Sequence, residues 1–412
     1  MRVQHERAVR VAMVAVVGIV VASSCSSSTK SPAASVPTTQ STGRSATPAG
    51  APLKLMAIYE GTGPSASPEV PQGAIAAAEA INADGGIQGR PVQIISCDTK
   101  NDPNMATACG RQAVSEGVVA LVGNLTIYGG QFLPLMAQNK IVSIGLEPST
   151  AADFTSPSAF PVAGGAPVVL AGLGAALAQQ GAKKIALARL DIAQAAALGT
   201  YVDSGLKNYN LKLLRDVAVP VGAPDMAPYV AASLKGGADA IVVSQADQDA
   251  VNFVLAARQA DPSIRIALIA TSLGDVINAL GGEAEGVVET ASDTIALKNT
   301  AEKQYEADMK AAGFHDITGF RLASYASVLV FKKVAETLTS ISAPAVFAAM
   351  SHAQGVDVGL TPPLDFTKGG VGGLPRVFNP CLFATRIQHG QPVPLTGKFQ
   401  NVFTGRDCPT PA

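Results

Sequence analysis

At 412 residues the chain is long enough for two or three domains, and 30 Lys plus Arg against 31 Asp plus Glu leave a net charge of −1. That balance excludes the basic stripe a nucleic-acid-binding surface needs, and no nucleic-acid partner is expected. Hydrophobic residues at 48% and charged residues at 15% describe a globular chain and exclude a disordered one.

Arg2, Arg7 and Arg10 precede an apolar run from Val11 to Ala22. The run is shorter than the roughly 20 residues a membrane-spanning helix requires, so residues 1–25 are expected to be a signal peptide. Its end, Ala22-Ser23-Ser24-Cys25, resembles the bacterial lipobox, in which the Cys becomes the lipidated first residue after cleavage. A larger aliphatic residue is usual where Ala22 stands, and the alternative is an ordinary signal peptide with an incidental Cys25. Residues 26–52 are Ser, Thr, Pro, Ala and Gly almost throughout and cannot bury enough apolar surface to fold, which suits a flexible membrane tether.

From Leu53 the pattern alternates strand and helix. Leu53 to Tyr59 is predicted as a strand and Val70 to Ala83 as a helix with Ala74, Ala77, Ala78 and Ile81 on one face. Asp84-Gly85-Gly86 stops it, because these residues tolerate the left-handed backbone of a helix end. Val92 to Ser96 is a strand, and Asp102-Pro103 starts a helix, with an acceptor at the cap and a pre-set φ behind it. The wholly apolar Val118 to Val122 reads as a parallel strand covered on both faces. Helix 130–139 and strand 141–144 follow, and Pro161 to Gly165 is expected to cross to a second lobe. There the alternation restarts: helices to Gln180 and over 195–208, 227–235 and 247–260, and strands over 184–188, 211–219, 240–244, 265–270 and 287–291. Helices 303–312 and 324–338 come next, before a Gly/Pro-rich remainder with short strands near 378–387 and 400–403. The expected fold class is α/β, as two doubly wound parallel-sheet lobes joined by crossing strands, with a cleft between them. Residues 53–165 and 295–355 make the N-terminal lobe, and 166–294 and 356–412 the C-terminal lobe.

One stretch is more specific. Asn82, Gly85, Gly86, Ile87, Gly89 and Arg90, then Asp98, Asp102, Pro103 and Ala106, then Val119 and Gly123, resemble extracytoplasmic solute-binding proteins of the leucine/isoleucine/valine-binding type, which serve ABC importers. Tyr325, Ala326, Val328 and Ala335 resemble a later helix of that family. The resemblance implies a type I periplasmic binding protein fold, a small-molecule solute captured by lobe closure, an ABC importer permease as partner and a monomeric receptor without cofactor.

Cysteine usage fits export. With Cys25 set aside, Cys97, Cys109, Cys381 and Cys408 remain for an oxidising compartment. Three pairings are possible. Cys97 at a strand end and Cys109 in the following helix favour 97–109, leaving 381–408 in the tail; buried free thiols are the alternative. No Cys-x-x-Cys or Cys/His spacing suggests a metal site.

In open parallel sheets, ligands bind beyond the carboxyl ends of the strands, at points where the strand order reverses. The loops concerned are 60–63, 124–128, 145–150, 191–194, 245–247 and 271–275. They offer Thr62, Asn124, Leu125, Thr126, Gly145, Glu147, Gln194, Gln245 and Ser272 as ligand-binding candidates. In amino-acid-binding relatives, the loops matching Asn124–Thr126 and Gly145–Pro148 hold a ligand carboxylate; Asn124 and Thr126 could do so here, or merely cap the next helix. Asp191, Asp247 and Asp275 read as helix caps, and Glu147 either as a cation partner or as a solvated carboxylate. The Tyr and the acidic residue that such relatives often carry are missing at Ala193-Gln194 and Thr271-Ser272-Leu273. The expected ligand is therefore not a plain branched-chain amino acid but an uncharged, acidic or partly apolar small molecule. His5, His315, His352 and His389 stand singly, and no nucleophile elbow, zinc helix or phosphate loop occurs, so no enzyme is expected. A sensor domain coupled to a signalling partner and a structural cell-wall lipoprotein are the competing readings.

Overall fold

The computed structural model describes residues 48–63, 66–270, 273–291, 299–317 and 319–411, with the backbone alone at 194 and 371. The expected signal peptide, Cys25 and nearly all of the tether lie outside the described residues, as does Ser272. No helix among the described residues is long and apolar enough to cross a membrane.

The first sheet is built from β1 (Leu53–Tyr59), β2 (Val92–Asp98), β3 (Ala120–Val122) and β4 (Val142–Ile144) in the parallel order β2-β1-β3-β4. Side chains alternate across it, as the two-residue period of a strand demands. Leu53, Leu55, Val122 and Ile144 face helices α1 (Val70–Ala83) and α10 (Arg321–Ala335), while Met56, Ile58 and Leu121 pack on α2 (Pro103–Ser115) and α3 (Gly129–Gln138). The Asn82 motif is structural: its amide pairs with Val92 in both directions, at 2.9 and 2.7 Å, and fixes where β2 begins. Asp102 caps α2 by accepting from Asn104 N–H at 2.6 Å.

The second sheet repeats this winding and extends it. Strands β5 (Ile185–Leu190), β6 (Arg215–Val219), β7 (Ala240–Ser244), β8 (Arg265–Leu268) and β9 (Val288–Ala291) run parallel in the order β9-β8-β7-β5-β6. Their side chains alternate between α6 (Ala227–Leu234), α7 (Asp247–Ala260) and α8 (Leu273–Leu280) on one face and α4 (Gly165–Gln179) and α5 (Leu198–Leu206) on the other. Beyond β9 the sheet turns antiparallel through β10 (Cys381–Gln388), β11 (Gln391–Pro394) and the two-residue β12 (Gln400–Asn401); β10 and β12 fall where short strands are expected, while β11 and the antiparallel pairing are not anticipated by the wound-parallel pattern. Cys97 is bonded to Cys109, and Cys381 to Cys408, which ties the tail to β10.

Helices α9 (Thr300–Ala311) and α11 (Ala343–Met350) complete the first lobe, α11 in a stretch the sequence reading left unassigned. Residues expected in the second lobe also pack there: Val356, Val358, Leu360, Leu364, Phe366 and Phe378 lie in the first core. The reason is aromatic. Phe366 and Phe378 meet Phe160 at 5.6 and 6.0 Å, and the Arg376 guanidinium lies over Phe160 and Phe378 at 4.3 and 4.7 Å. Arg376 also donates from Nε to the Ala159 carbonyl at 2.7 Å, and burial lowers its pKa to about 10. Asn379 donates to the Val162 carbonyl at 3.1 Å, so two crossing segments run side by side. Gly165 turns the first of them into α4 at φ 65°, where a Cβ would sit 2.7 Å from the Pro148 carbonyl oxygen.

Helices α1 and α10 pack closely because Gly73 has no side chain; a Cβ there would overlap the Arg321 carbonyl oxygen. Gly73→Ala is therefore expected to destabilise the protein by about 1–3 kcal/mol, read from its urea unfolding midpoint.

Candidate functional site

Both sheets place their carboxyl-end loops in the same arrangement, because β1 lies between β2 and β3 just as β5 lies between β6 and β7. Chain connections reverse direction at β1/β3 and at β5/β7, which opens a crevice at each point. Residues after these strands therefore line the two walls of the candidate site.

The first-lobe wall is built around Glu60, which follows β1 and is 5% exposed. Its Oε1 accepts from the Thr126 hydroxyl at 2.6 Å and from Ile127 N–H at 3.2 Å, in the loop after β3 that leads into α3. Thr126 Oγ1 in turn accepts from Tyr128 N–H at 3.1 Å. A carboxylate of the chain itself thus sits before a helix N-terminus, where the backbone dipole favours negative charge. Asn124 is turned inward as well, donating to Ser143 Oγ at 3.1 Å. Thr62 donates to Asp98 Oδ2 at 2.8 Å. Burial works against charge on Asp98, but donors from Lys100, Thr62 and Gly61 outweigh it and hold its carboxyl below the usual range. The side chains of Thr62, Asn124 and Thr126, expected to present free groups, are thus already engaged within the protein. The sequence could not reveal this, since their partners are long-range neighbours such as Glu60 and Asp98.

Glu147 differs. It follows β4 in a loop pinned by Asp153, which accepts from Thr150 N–H at 2.8 Å and the Thr150 hydroxyl at 2.6 Å. Among the described residues no hydrogen bond or ion pair reaches Glu147. The residue keeps some exposed area, yet protein atoms surround its carboxyl, and that burial pushes its pKa up to about 7. Gly145, just before it, accepts from Val162 N–H at 3.1 Å, and half-buried Leu125 bridges to Tyr59.

On the second wall, Gln245 directly follows β7 and is 7% exposed. Neither its Oε1 nor its Nε2 has a hydrogen-bond partner. A buried amide left unpaired at both ends is costly, of the order of 1–3 kcal/mol per polar atom. Gln194 falls in the short turn Ala193–Ala195 after β5. Ile127 and Ile192, at the ends of β3 and β5, leave 57% and 41% of their surface exposed. A hollow of about 20 Å³ between α4 and β10 is sized for a water molecule and lies away from these loops. Among the described residues no His, Cys, Asp and Glu cluster could hold a metal ion.

The periplasmic binding protein family profile matches residues 52–389. The chain belongs to the periplasmic binding protein family. Its fold is shared with solved structures of low identity. A leucine-, isoleucine-, valine-, threonine- and alanine-binding protein from Brucella ovis, in its closed conformation, is 15% identical with a TM-score of 0.74, over 86% of this chain and 97% of that one. A solute-binding protein of an ABC transporter from R. palustris, in complex with 4-hydroxybenzoate, is 17% identical with a TM-score of 0.68, over 87% and 97%. The leucine-binding protein LivK from Thermotoga maritima is 16% identical with a TM-score of 0.66, over 83% and 97%. No curated protein matches the chain. The family and the fold are those of periplasmic solute-binding proteins.

Two variants probe the first wall of this family member. Glu60→Ala strands the Thr126 hydroxyl and Ile127 N–H, and is expected to cost about 1–3 kcal/mol in urea unfolding. Glu147 binds its proton more tightly folded than unfolded, so its contribution is full at low pH and is lost as pH rises towards about 7. Glu147→Gln is therefore expected to flatten the fall in thermal midpoint between about pH 5 and pH 8, and to be the more stable protein at the upper end.

Proposed function

We propose that the protein is a lipid-anchored extracytoplasmic receptor that captures a small molecule between its two lobes and delivers it to an ABC importer. The observation that carries this reading is Gln245: a buried amide with two unpaired atoms, at the strand-order reversal of the second sheet. A cost of that kind is retained where a ligand relieves it. Leu125, Gly145 and Glu147 line the opposite wall, Gln194 belongs to the turn after β5 on the same lobe as Gln245, and Thr62, Asn124 and Thr126 brace the first wall from behind. The lobes comprise 53–165 with 299–378, and 166–291 with 381–411. Closure is a hinge motion about the crossing segments, and the liganded form is the one the permease recognises.

One protein of this fold is named for binding amino acids and another is in complex with 4-hydroxybenzoate, so ligand chemistry is set by side chains and not by architecture. Ala22-Ser23-Ser24-Cys25 and the Ser/Thr/Pro-rich residues after it support the anchor. Cys25→Ser is expected to abolish incorporation of labelled palmitate and release the protein from membranes.

Capture is tested by thermal unfolding across amino acids, amides, sugars, nucleosides and short-chain acids. A ligand of the folded state at about 100 times its Kd is expected to stabilise by about 2.7 kcal/mol. X-ray scattering should then show a smaller radius of gyration. A well-folded protein that responds to no solute, including a deproteinised extract of spent medium, would defeat the receptor reading.

A further inference from the structure

The two walls specify the ligand's polar group, given the receptor reading on which this inference rests. At the first-lobe reversal point, two donors in front of α3 are already taken by the protein's own carboxylate. Glu60 Oε1 occupies Thr126 Oγ1 at 2.6 Å and Ile127 N–H at 3.2 Å. A ligand carboxylate arriving there would meet spent donors and a like charge, with the Glu147 carboxyl in the loop after the adjacent strand β4.

At the second-lobe reversal point the requirement is positive. Gln245 needs a donor for Oε1 and an acceptor for Nε2, side by side. An ionised carboxylate offers acceptors only and leaves Oε1 unpaired. An ammonium offers donors only and leaves Nε2 unpaired, and a zwitterion reaches both atoms only by setting two desolvated full charges against a neutral amide. A lone hydroxyl sits at one point and cannot form two well-aligned bonds with both atoms of an amide edge. A primary amide, or a lactam or ureide whose N–H and C=O lie on the same side, presents a donor and an acceptor at matching spacing.

We infer that the ligand is uncharged at its polar end and presents a carboxamide, lactam or ureide edge to Gln245, in place of the charged carboxylate and ammonium of a free amino acid. Ile127 and Ile192, exposed at the ends of β3 and β5, are suited to cover an apolar remainder of such a molecule.

The test uses full-length exported protein, purified in detergent, titrated by calorimetry with matched sets that vary only the polar group: isovaleramide, isovalerate and isoamylamine; benzamide, benzoate and benzylamine; and valerolactam. The expected result is that an amide or lactam binds at least about tenfold tighter than its charged counterparts. Gln245→Met is expected to lose about 100-fold in that affinity, through two missing hydrogen bonds. The same variant is expected to unfold about 2–5 °C higher without ligand, because it removes a buried unpaired amide. That combination separates a ligand-directed Gln245 from a structural one, whose loss would only destabilise. The inference is overturned if a carboxylate or amine binds best, if Gln245→Met binds like the parent, or if its ligand-free form is less stable. Should spent-medium extract compact the protein in scattering while no amide or lactam binds, the inference falls and the receptor reading stands. Should neither act, both fall.

Discussion

Parallel pairing on both sides of one central strand is the constraint from which the rest of this molecule follows. With β1 between β2 and β3, and β5 between β6 and β7, right-handed crossovers must pass to opposite faces of each sheet. The loops that diverge at those points cannot fill the space between them. Every residue with functional interest here is positioned by that divergence, from Glu60 and Thr126 on one wall to Gln245 on the other. The helices contribute cover and the amino-terminal dipole before which Glu60 sits.

The two reversal points resolve the same problem in opposite ways. In the first lobe the polar groups are satisfied from within, through Glu60 with Thr126, Asn124 with Ser143 and Thr62 with Asp98. In the second, Gln245 is left unpaired at both of its polar atoms. One wall is stiff and complete while the other is costly until something meets it. In the receptor proposed above, such an arrangement would concentrate binding free energy on one side and leave the other to supply shape and exclude charge.

Much of the fold was legible in local pattern. β1, α1 and α7 have the bounds that apolar periodicity and the Asp84-Gly85-Gly86 stop predict, and Asp102-Pro103 starts α2 as capping chemistry requires. What stayed hidden has physical reasons. α11 is eight residues long, too short for its apolar spacing to stand out, although Ser342 caps it and Pro344 falls in its first turn. The β10–β11 hairpin turns through His389-Gly390, both at positive φ, a recognisable two-residue turn. Pro392 and Pro394 lie within β11, an edge strand, where proline is tolerated. Packing of 356–378 on the first core depends on Phe160, far away in sequence, and no local signal encodes it. The candidate site was legible as a set of loops but not as a set of free groups. Gln245 was recognisable as a neutral hydrogen-bonding residue, while its burial and lack of partners are tertiary facts.

The position of β1 has a mechanical consequence. The chain enters the folded body through this strand, which is hydrogen-bonded along its length to β2 and also to β3. Tension transmitted from upstream chain would therefore load the sheet in shear, with many bonds sharing the force at once, and not peel an edge strand away bond by bond. A pull on the amino-terminal side is received by the first sheet as a whole.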